Sequence, residues 1–263
     1  MLARKDWVKA CEFPEMGNYE ILERVFDGVK SVQESPTVIF DLDSTLYDIA
    51  PRTVAIIHHF LAESGGRLSS EVHHALEKLN GAENFYSLND IFLLLGLSLE
   101  KPSVASDLDV LKEFWFTYFF SNHYLHHDRP YPGAVSFVRE LHARGATIIY
   151  LSGRNEPFMG DGTRGNLVRD KFPLAERTHL FLKDRPERQD LEYKRNLVHE
   201  IRSAGTPIAF FENEPQNLVA LYESFPTSIH IFVDTVCSEA PAKVCAGLYR
   251  IYEYALHLDA KDR

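Results

Sequence analysis

The sequence predicts an α/β protein: a parallel sheet covered by helices on both faces, interrupted after its first strand by an all-helical insert. Three observations lead there. Short apolar and β-branched runs recur along the chain, and most are separated by stretches with helical spacing. Those runs are continuously apolar rather than alternating, the pattern of strands buried on both sides. Between residues 48 and 129 no such run stands out, and apolar residues recur at three- and four-residue intervals instead.

The elements follow in order. Ile21, Leu22, Val25, Phe26 and Val29 form one apolar stripe on a leading helix. Pro36 precedes the first strand, Thr37-Val38-Ile39-Phe40, which stops at Asp41. Val54, Ile57, His58 and Leu61, then Val72, Leu76 and Leu79, mark helices of the insert. The aromatic-dense stretch 111–124 is a further helix, its rings mostly core, with one or two left to face a ligand. After Pro130-Tyr131-Pro132-Gly133 the alternation of helix and strand begins again. A helix over 134–144 is stopped by Gly145, and a strand follows over 147–151. Helices are then expected around 165–172, 190–204 and 216–224, with strands at 179–182 and 208–211 and a last strand at 229–233. The boundaries are a core of residues 1–47 and 130–263, in which 1–35 is an N-terminal helical extension, and a helical domain of residues 48–129 inserted into it.

Composition narrows the function. Lys and Arg number 28 against 38 Asp and Glu, a formal charge of −10, so long-range repulsion argues against a dedicated nucleic-acid binder. A small anionic substrate stays open. The three cysteines (Cys11, Cys237, Cys245) include no CxxC pair and read as free thiols in a reducing compartment rather than as zinc ligands. The N-terminus lacks the apolar core of a signal peptide, and no apolar stretch approaches the roughly 20 residues that span a bilayer. A cytoplasmic location without membrane association is the expectation. Nothing in the sequence sets the oligomeric state.

A doubly wound sheet places its site at the carboxyl ends of its strands. Polar clusters stand at those positions: Asp41-Leu42-Asp43-Ser44-Thr45, Ser152-Gly153-Arg154 and Glu212-Asn213-Glu214. Asp41 and Asp43, two residues apart on extended chain, can lean to one side, where their repulsion calls for a cation. Mg2+, a hard ion that takes oxygen ligands, suits such a pair, with Glu212 from a neighbouring strand as the third carboxylate. Asp41 can then attack phosphorus as a carboxylate nucleophile, and Asp43 can act as general acid and base. Ser152, the amide that follows it and Lys194 are suited to neutralising a phosphoryl group. Thr45, Gly153 and Arg154 complete the expected substrate contacts, although Arg154 is equally suited to pairing with an acid.

These residues carry a resemblance. Phe40-Asp41-Leu42-Asp43-Ser44-Thr45-Leu46 resembles the first motif, DxDxT, of the haloacid dehalogenase-like hydrolase superfamily. Leu151-Ser152-Gly153-Arg154 is similar to its second motif, Lys194 to its third and Phe210-Phe211-Glu212-Asn213-Glu214 to its acidic fourth. The ordered set covers residues 36–235. The resemblance implies a Rossmann-like three-layer α/β/α core, a helical C1-type cap over residues 48–129 that closes on the site, Mg2+ as cofactor, and phosphatase activity through an aspartyl-phosphate on a small phosphorylated metabolite. Asp43 argues against dehalogenation, since dehalogenase members lack that second aspartate. The fourth motif departs from the usual aspartates, which leaves open whether Glu212 or Glu214 holds the metal.

Three other functions compete. A phosphotransferase or mutase would share every motif. A catalytically weakened binding or scaffold protein would account for Glu-Asn-Glu. Gly160-Asp161-Gly162-Thr163-Arg164-Gly165 matches GxGxxG with Asp184 about 20 residues on, which raises a dinucleotide-binding oxidoreductase. The histidines at 123, 126 and 127 beside Asp128 read as hinge or surface residues rather than metal ligands.

Overall fold

The computed structural model describes residues 1–81 and 84–256. Six parallel strands make one sheet: β1 (Pro36–Phe40), β2 (Thr147–Asn155), β3 (Thr178–Lys183), β4 (Thr206–Glu212), β5 (Ile229–Val233) and β6 (Tyr249–Ile251). Their spatial order is 3-2-1-4-5-6. The order reverses at β1, so the chain leaves β2 and β4 on opposite sides of it and opens a crevice at its carboxyl end. The helices, in chain order, are α1 (Arg4–Ala10), α2 (Asn18–Ser31), α3 (Ala50–Ser64), α4 (Ser70–Leu76), α5 (Leu88–Leu94) and α6 (Pro102–Phe119). They continue with α7 (Ala134–Ala143), α8 (Glu156–Arg169), α9 (Asp190–Asn196), α10 (Val198–Ala204) and α11 (Pro215–Ser224).

Two compact units result. The first comprises Met1–Tyr47, Pro130–Pro157 and the described residues from Leu167 onward; the second comprises Asp48–Arg129 with Phe158–Asn166. In the first unit the strand alternation of side chains separates two helical layers. Ile39, Ile149 and Phe210 face α9, α10 and α11 through Tyr193, Ile201 and Leu221. The next residues along two of those strands, Phe40 and Phe211, stack at 4.6 Å on the other face and meet Phe137 of α7. Phe137 in turn meets Phe26 of α2 edge to face at 5.3 Å. This is the three-layer α/β/α arrangement that the sequence predicts. Trp7 of α1, fully buried, closes the β5 side of the sheet by an edge contact with Phe232.

The structure corrects several expected elements. β2 continues past Leu151 to Asn155, so Ser152, Gly153 and Arg154 belong to the strand. The helix expected over 190–204 is broken at Leu197, whose φ of −90° and ψ of 11° lie outside the helical well. A sixth strand follows the one expected to be last. Tyr249-Arg250-Ile251 carries no apolar run to announce it, and its middle residue pairs with Asp234. The glycines at 160, 162 and 165 lie inside α8, not in a phosphate-binding turn. The tight turn that a dinucleotide fingerprint requires at the strand end is therefore missing, and Gly162 serves close packing instead: a Cβ there would meet Leu125 Cδ1 at 2.7 Å.

The second unit is helical. Phe60, Val72, Ile91, Phe92, Val104 and Leu111 are buried together in one core shared by α3, α4, α5 and α6. At its margin Arg52 and Asp128 form a bidentate ion pair, Nε to Oδ1 at 2.7 Å and Nη2 to Oδ2 at 2.6 Å, with both side chains fully buried. Asn166 donates to Asp128 Oδ2 and to the Leu125 carbonyl, fixing that loop. In the aromatic stretch Phe119 is buried while Phe116 and Phe120 are exposed. No helix among the described residues is long and apolar enough to cross a membrane, and all three cysteines are free thiols.

One buried group makes the fold sensitive to acid. His230 on β5 is buried and stacked on Phe210, and its Nε2 lies 2.9 Å from the Phe225 carbonyl while its Nδ1 has no partner among the described residues. Burial pushes its pKa down to about 4 despite that backbone hydrogen bond. The unfolded chain therefore takes up the proton first. The stability this residue leaves intact above about pH 6.5 is lost progressively as the pH falls toward 4, by about 3 kcal/mol in all. Thermal melts between pH 7 and pH 4 should lose less of their melting temperature in His230→Phe than in the wild type; parallel curves would contradict this.

Candidate active site

Asp41 is the first residue beyond β1, and its N–H donates to the Phe211 carbonyl of β4 at 3.0 Å, so the sheet hydrogen bonding continues through it. The chain then turns sharply. The Leu42 carbonyl accepts from the N–H groups of Thr45, Leu46 and Tyr47, and Ser44 adopts a left-handed φ of 60°. That turn sends Asp41 and Asp43 to different partners.

Asp41 meets α9. The Lys194 ammonium donates to Asp41 Oδ1 at 2.7 Å and to Glu212 Oε2 at 2.6 Å, and all three side chains are buried. Burial raises the Asp41 pKa to about 7 against the pull of Lys194, and burial likewise raises Glu212. Burial alone would lower Lys194, yet the two carboxylates outweigh it and hold the ammonium charged. Two ionised carboxylates would outnumber the one ammonium, and the repulsion from Glu212 adds to burial in raising Asp41. Glu212 Oε1 accepts the Glu214 N–H at 3.0 Å, while the Glu214 carboxylate is turned away to Ser238, whose N–H and hydroxyl it accepts at 3.0 and 2.7 Å.

Asp43 meets β2. Its Oδ1 accepts from both Arg154 Nε, at 2.9 Å, and Arg154 Nη2. The Arg154 N–H donates to Ser152 Oγ at 3.2 Å, and both residues are buried. Thr45, fully buried, donates its hydroxyl to Asn213 Oδ1 at 3.0 Å, which ties the turn after β1 to the end of β4. Thr45, Gly153 and Arg154, expected as substrate contacts, thus each have a close protein neighbour.

Gly153 lies against Asp190, the first residue of α9. A Cβ there would overlap Asp190 Oδ2 and come within 2.6 Å of its Cγ. Asp190 is held by Lys183, which also donates to the carbonyls of Pro186 and Arg188. Gly153→Ala should therefore displace Asp190, loosen the loop that delivers Lys194, and cost about 1–3 kcal/mol. A chemical denaturation curve superimposing on the wild type would refute that placement.

The site draws on residues that no sequence motif announces. Lys183 and Asp190 clamp the loop before α9, Tyr254 Oη donates to the Thr45 carbonyl at 3.2 Å, and Thr235 Oγ1 donates to the Ser44 carbonyl. Asn213 was visible inside Glu-Asn-Glu, but its polar tie to Thr45 follows from the adjacency of β1 and β4.

The donor chemistry fits a divalent cation. Asp41 and Glu212 offer two buried carboxyl groups that share one ammonium, and the Asp43 backbone carbonyl is two residues along the same turn. Among the described residues no three His, Cys, Asp or Glu side chains cluster as a metal cage. A site of one or two carboxylates, a carbonyl and waters is the kind Mg2+ takes.

The three-layer α/β core thus carries a lysine-bridged pair of buried acids at the end of its central strand. Residues 36–173, more than half of the chain, match the family model of the haloacid dehalogenase-like hydrolases, and the protein belongs to that family. Over 122 residues it is 30% identical to a phosphoglycolate phosphatase of Agrobacterium fabrum, a match covering 46% of this chain and 49% of the relative. The chain thus spans about half the length of the curated relative it matches. Two solved structures share the fold: a haloacid dehalogenase superfamily hydrolase from Ehrlichia chaffeensis and a subfamily IA hydrolase from Geobacter sulfurreducens. The first is 12% identical with a TM-score of 0.51, covering 88% of this chain and 96% of its own. The second is 13% identical with a TM-score of 0.50, covering 87% and 95%.

Proposed function

We propose that the protein is a magnesium-dependent phosphomonoester hydrolase that works through an aspartyl-phosphate on Asp41 and acts on a small phosphorylated metabolite in the cytoplasm. One observation carries this reading: a buried carboxylate at the end of the central strand, hydrogen-bonded to a lysine that also holds a second acid. The curated relative is a phosphoglycolate phosphatase, which supports a small phosphate monoester as the substrate class.

Magnesium, held by Asp41, the Asp43 carbonyl and Glu212, would supply neutralisation of the phosphoryl charge. The remaining chemistry belongs to the side chains. An Asp41 carboxylate oxygen attacks phosphorus while the ester P–O bond breaks, and the departing oxygen takes a proton from the Asp43 carboxyl. Asp43, now a carboxylate, takes a proton from water as that water attacks the acyl phosphate. The new P–O bond forms, the bond to Asp41 breaks, and inorganic phosphate leaves. Lys194 keeps Asp41 oriented, and Ser152 with the amide after it bonds the phosphoryl oxygens.

The test is phosphate release from an aryl phosphate and a panel of phosphorylated metabolites, with and without Mg2+. Wild type should turn over at least one ester only with Mg2+, and Asp41→Asn should remove that activity. Turnover surviving Asp41→Asn would reject the nucleophile; no turnover in wild type would reject the function.

A further inference from the structure

The first unit carries a cleft at the other end of its sheet. Asp41 and Glu212 stand where β1 and β4 stop. The cleft lies where β2 and β3 begin, between the last turns of α7 and the segment that leads into β3. It encloses about 430 Å3, within the range of small-molecule sites, and is lined by Arg139, His142 and Lys171 with Pro173, Leu174 and Ala175. Neither Arg139 nor Lys171 has a hydrogen bond or ion pair through its side chain among the described residues. The acids beside them in sequence are engaged elsewhere: Glu140 by Arg144 at 2.9 Å and Asp170 by Arg169 at 2.6 Å. Glu176 and Arg177, exposed beyond the cleft, are of opposite sign and cancel. His142 is tied to the segment by Nε2, 2.9 Å from the Glu176 carbonyl. Two positive charges therefore stand uncompensated at an apolar wall, on a chain of net charge −10.

Lys171 is also an unusual residue for its place. Its φ of 64° is left-handed, its N–H donates to the Val168 carbonyl at 3.1 Å, and the Phe172 N–H donates to the Leu167 carbonyl at 2.9 Å. That is the closing turn of a helix, where glycine is the common residue and carries no strain. The chain keeps a lysine there instead, and its side chain lines the cleft.

We propose that this cleft binds a small organic phosphate dianion, at a site separate from Asp41. A phosphate monoester carries about −1.5 to −2 charges at neutral pH and matches the two cations, whereas a carboxylate brings one. Pro173, Leu174 and Ala175 cover an apolar body that inorganic phosphate lacks.

The probe is phenylphosphonate, whose P–C bond is not an ester, titrated calorimetrically into the full chain at about pH 8 without Mg2+. Wild type and Asp41→Asn should bind it with the same Kd. Arg139→Gln and Lys171→Gly should each weaken binding about 10-fold or more, as loss of a charge-assisted contact does. Lys171→Gly relieves the left-handed strain, so its melting temperature should not fall below that of the wild type. Benzenesulfonate, of the same shape with one charge less, and inorganic phosphate, with no ring, should both bind about 5-fold more weakly or worse. No binding to wild type would overturn the proposal. Binding lost in Asp41→Asn but kept in Arg139→Gln and Lys171→Gly would overturn it by moving the anion to the Asp41 site. Equal affinity for benzenesulfonate would reject the dianion, and equal affinity for inorganic phosphate would reject the apolar body. Weaker binding in Lys171→Gly together with a lowered melting temperature, and none in Arg139→Gln, would make the role of Lys171 structural and overturn the site.

Discussion

Lys194→Met should lower the melting temperature by about 10 °C, the equivalent of about 3–5 kcal/mol for a domain of this size. The lysine is buried and spans Asp41 and Glu212 at 2.7 and 2.6 Å, so its removal leaves two carboxylates facing one another with no cation between them. A lone surface salt bridge would be worth a tenth of that. Two controls isolate the cause. Adding Glu212→Gln to Lys194→Met removes one of the stranded charges and should recover part of the loss. Mg2+ should raise the melting temperature of Lys194→Met more than that of the wild type, because a divalent ion replaces the missing charge. A variant as stable as the wild type, with no added response to Mg2+, would show that the three groups do not form one charge-balanced unit.

The second large effect belongs to the helical unit. Arg52→Leu leaves Asp128 buried without its guanidinium partner, although Asn166 still donates to one of its oxygens. The expected destabilisation is about 3–5 kcal/mol, and Asp128→Asn with Arg52 retained should also destabilise because it strands the arginine. The double variant Arg52→Leu with Asp128→Leu should be more stable than either single change, since no charge is left unpaired. Hydrogen exchange should locate the loss in α3 and the 119–128 loop. Protection unchanged there in Arg52→Leu would contradict the prediction.

The sequence and the structure agree where local pattern decides and part where distant contacts do. β1 is legible because Val38, Ile39 and Phe40 form an uninterrupted apolar run closed by Asp41, and the layer structure follows from several such runs alternating with helices. Asp41, Lys194 and Glu212 stand out by their positions in the order of motifs, and the parallel pairing of β1 with β4 brings two of them side by side. What stayed hidden depends on neighbours remote in the chain. β6 is three residues long and announces itself only through its pairing with β5. The extension of β2 through Ser152, Gly153 and Arg154 has no β-branched signal, because those residues meet Asp43 and Asp190 rather than a uniform apolar face. The glycines of α8 match a dinucleotide fingerprint by spacing, yet they lie in a helix, and Gly162 is where another chain segment approaches closely.

The position of β1 in the sheet has a consequence in time. It is the earliest strand in the chain and the central one in space: Thr37 pairs with Thr147 on one side, and Pro36 with Thr206 on the other. Both of its edges therefore stay unpaired until distant parts of the chain arrive, an ordering that loop-closure entropy makes slow. During that interval the uncharged segment Thr37–Phe40 exposes two open edges of high strand propensity. Refolding from denaturant should accordingly lose yield as protein concentration rises, with association seeded at the very strand that ends at Asp41.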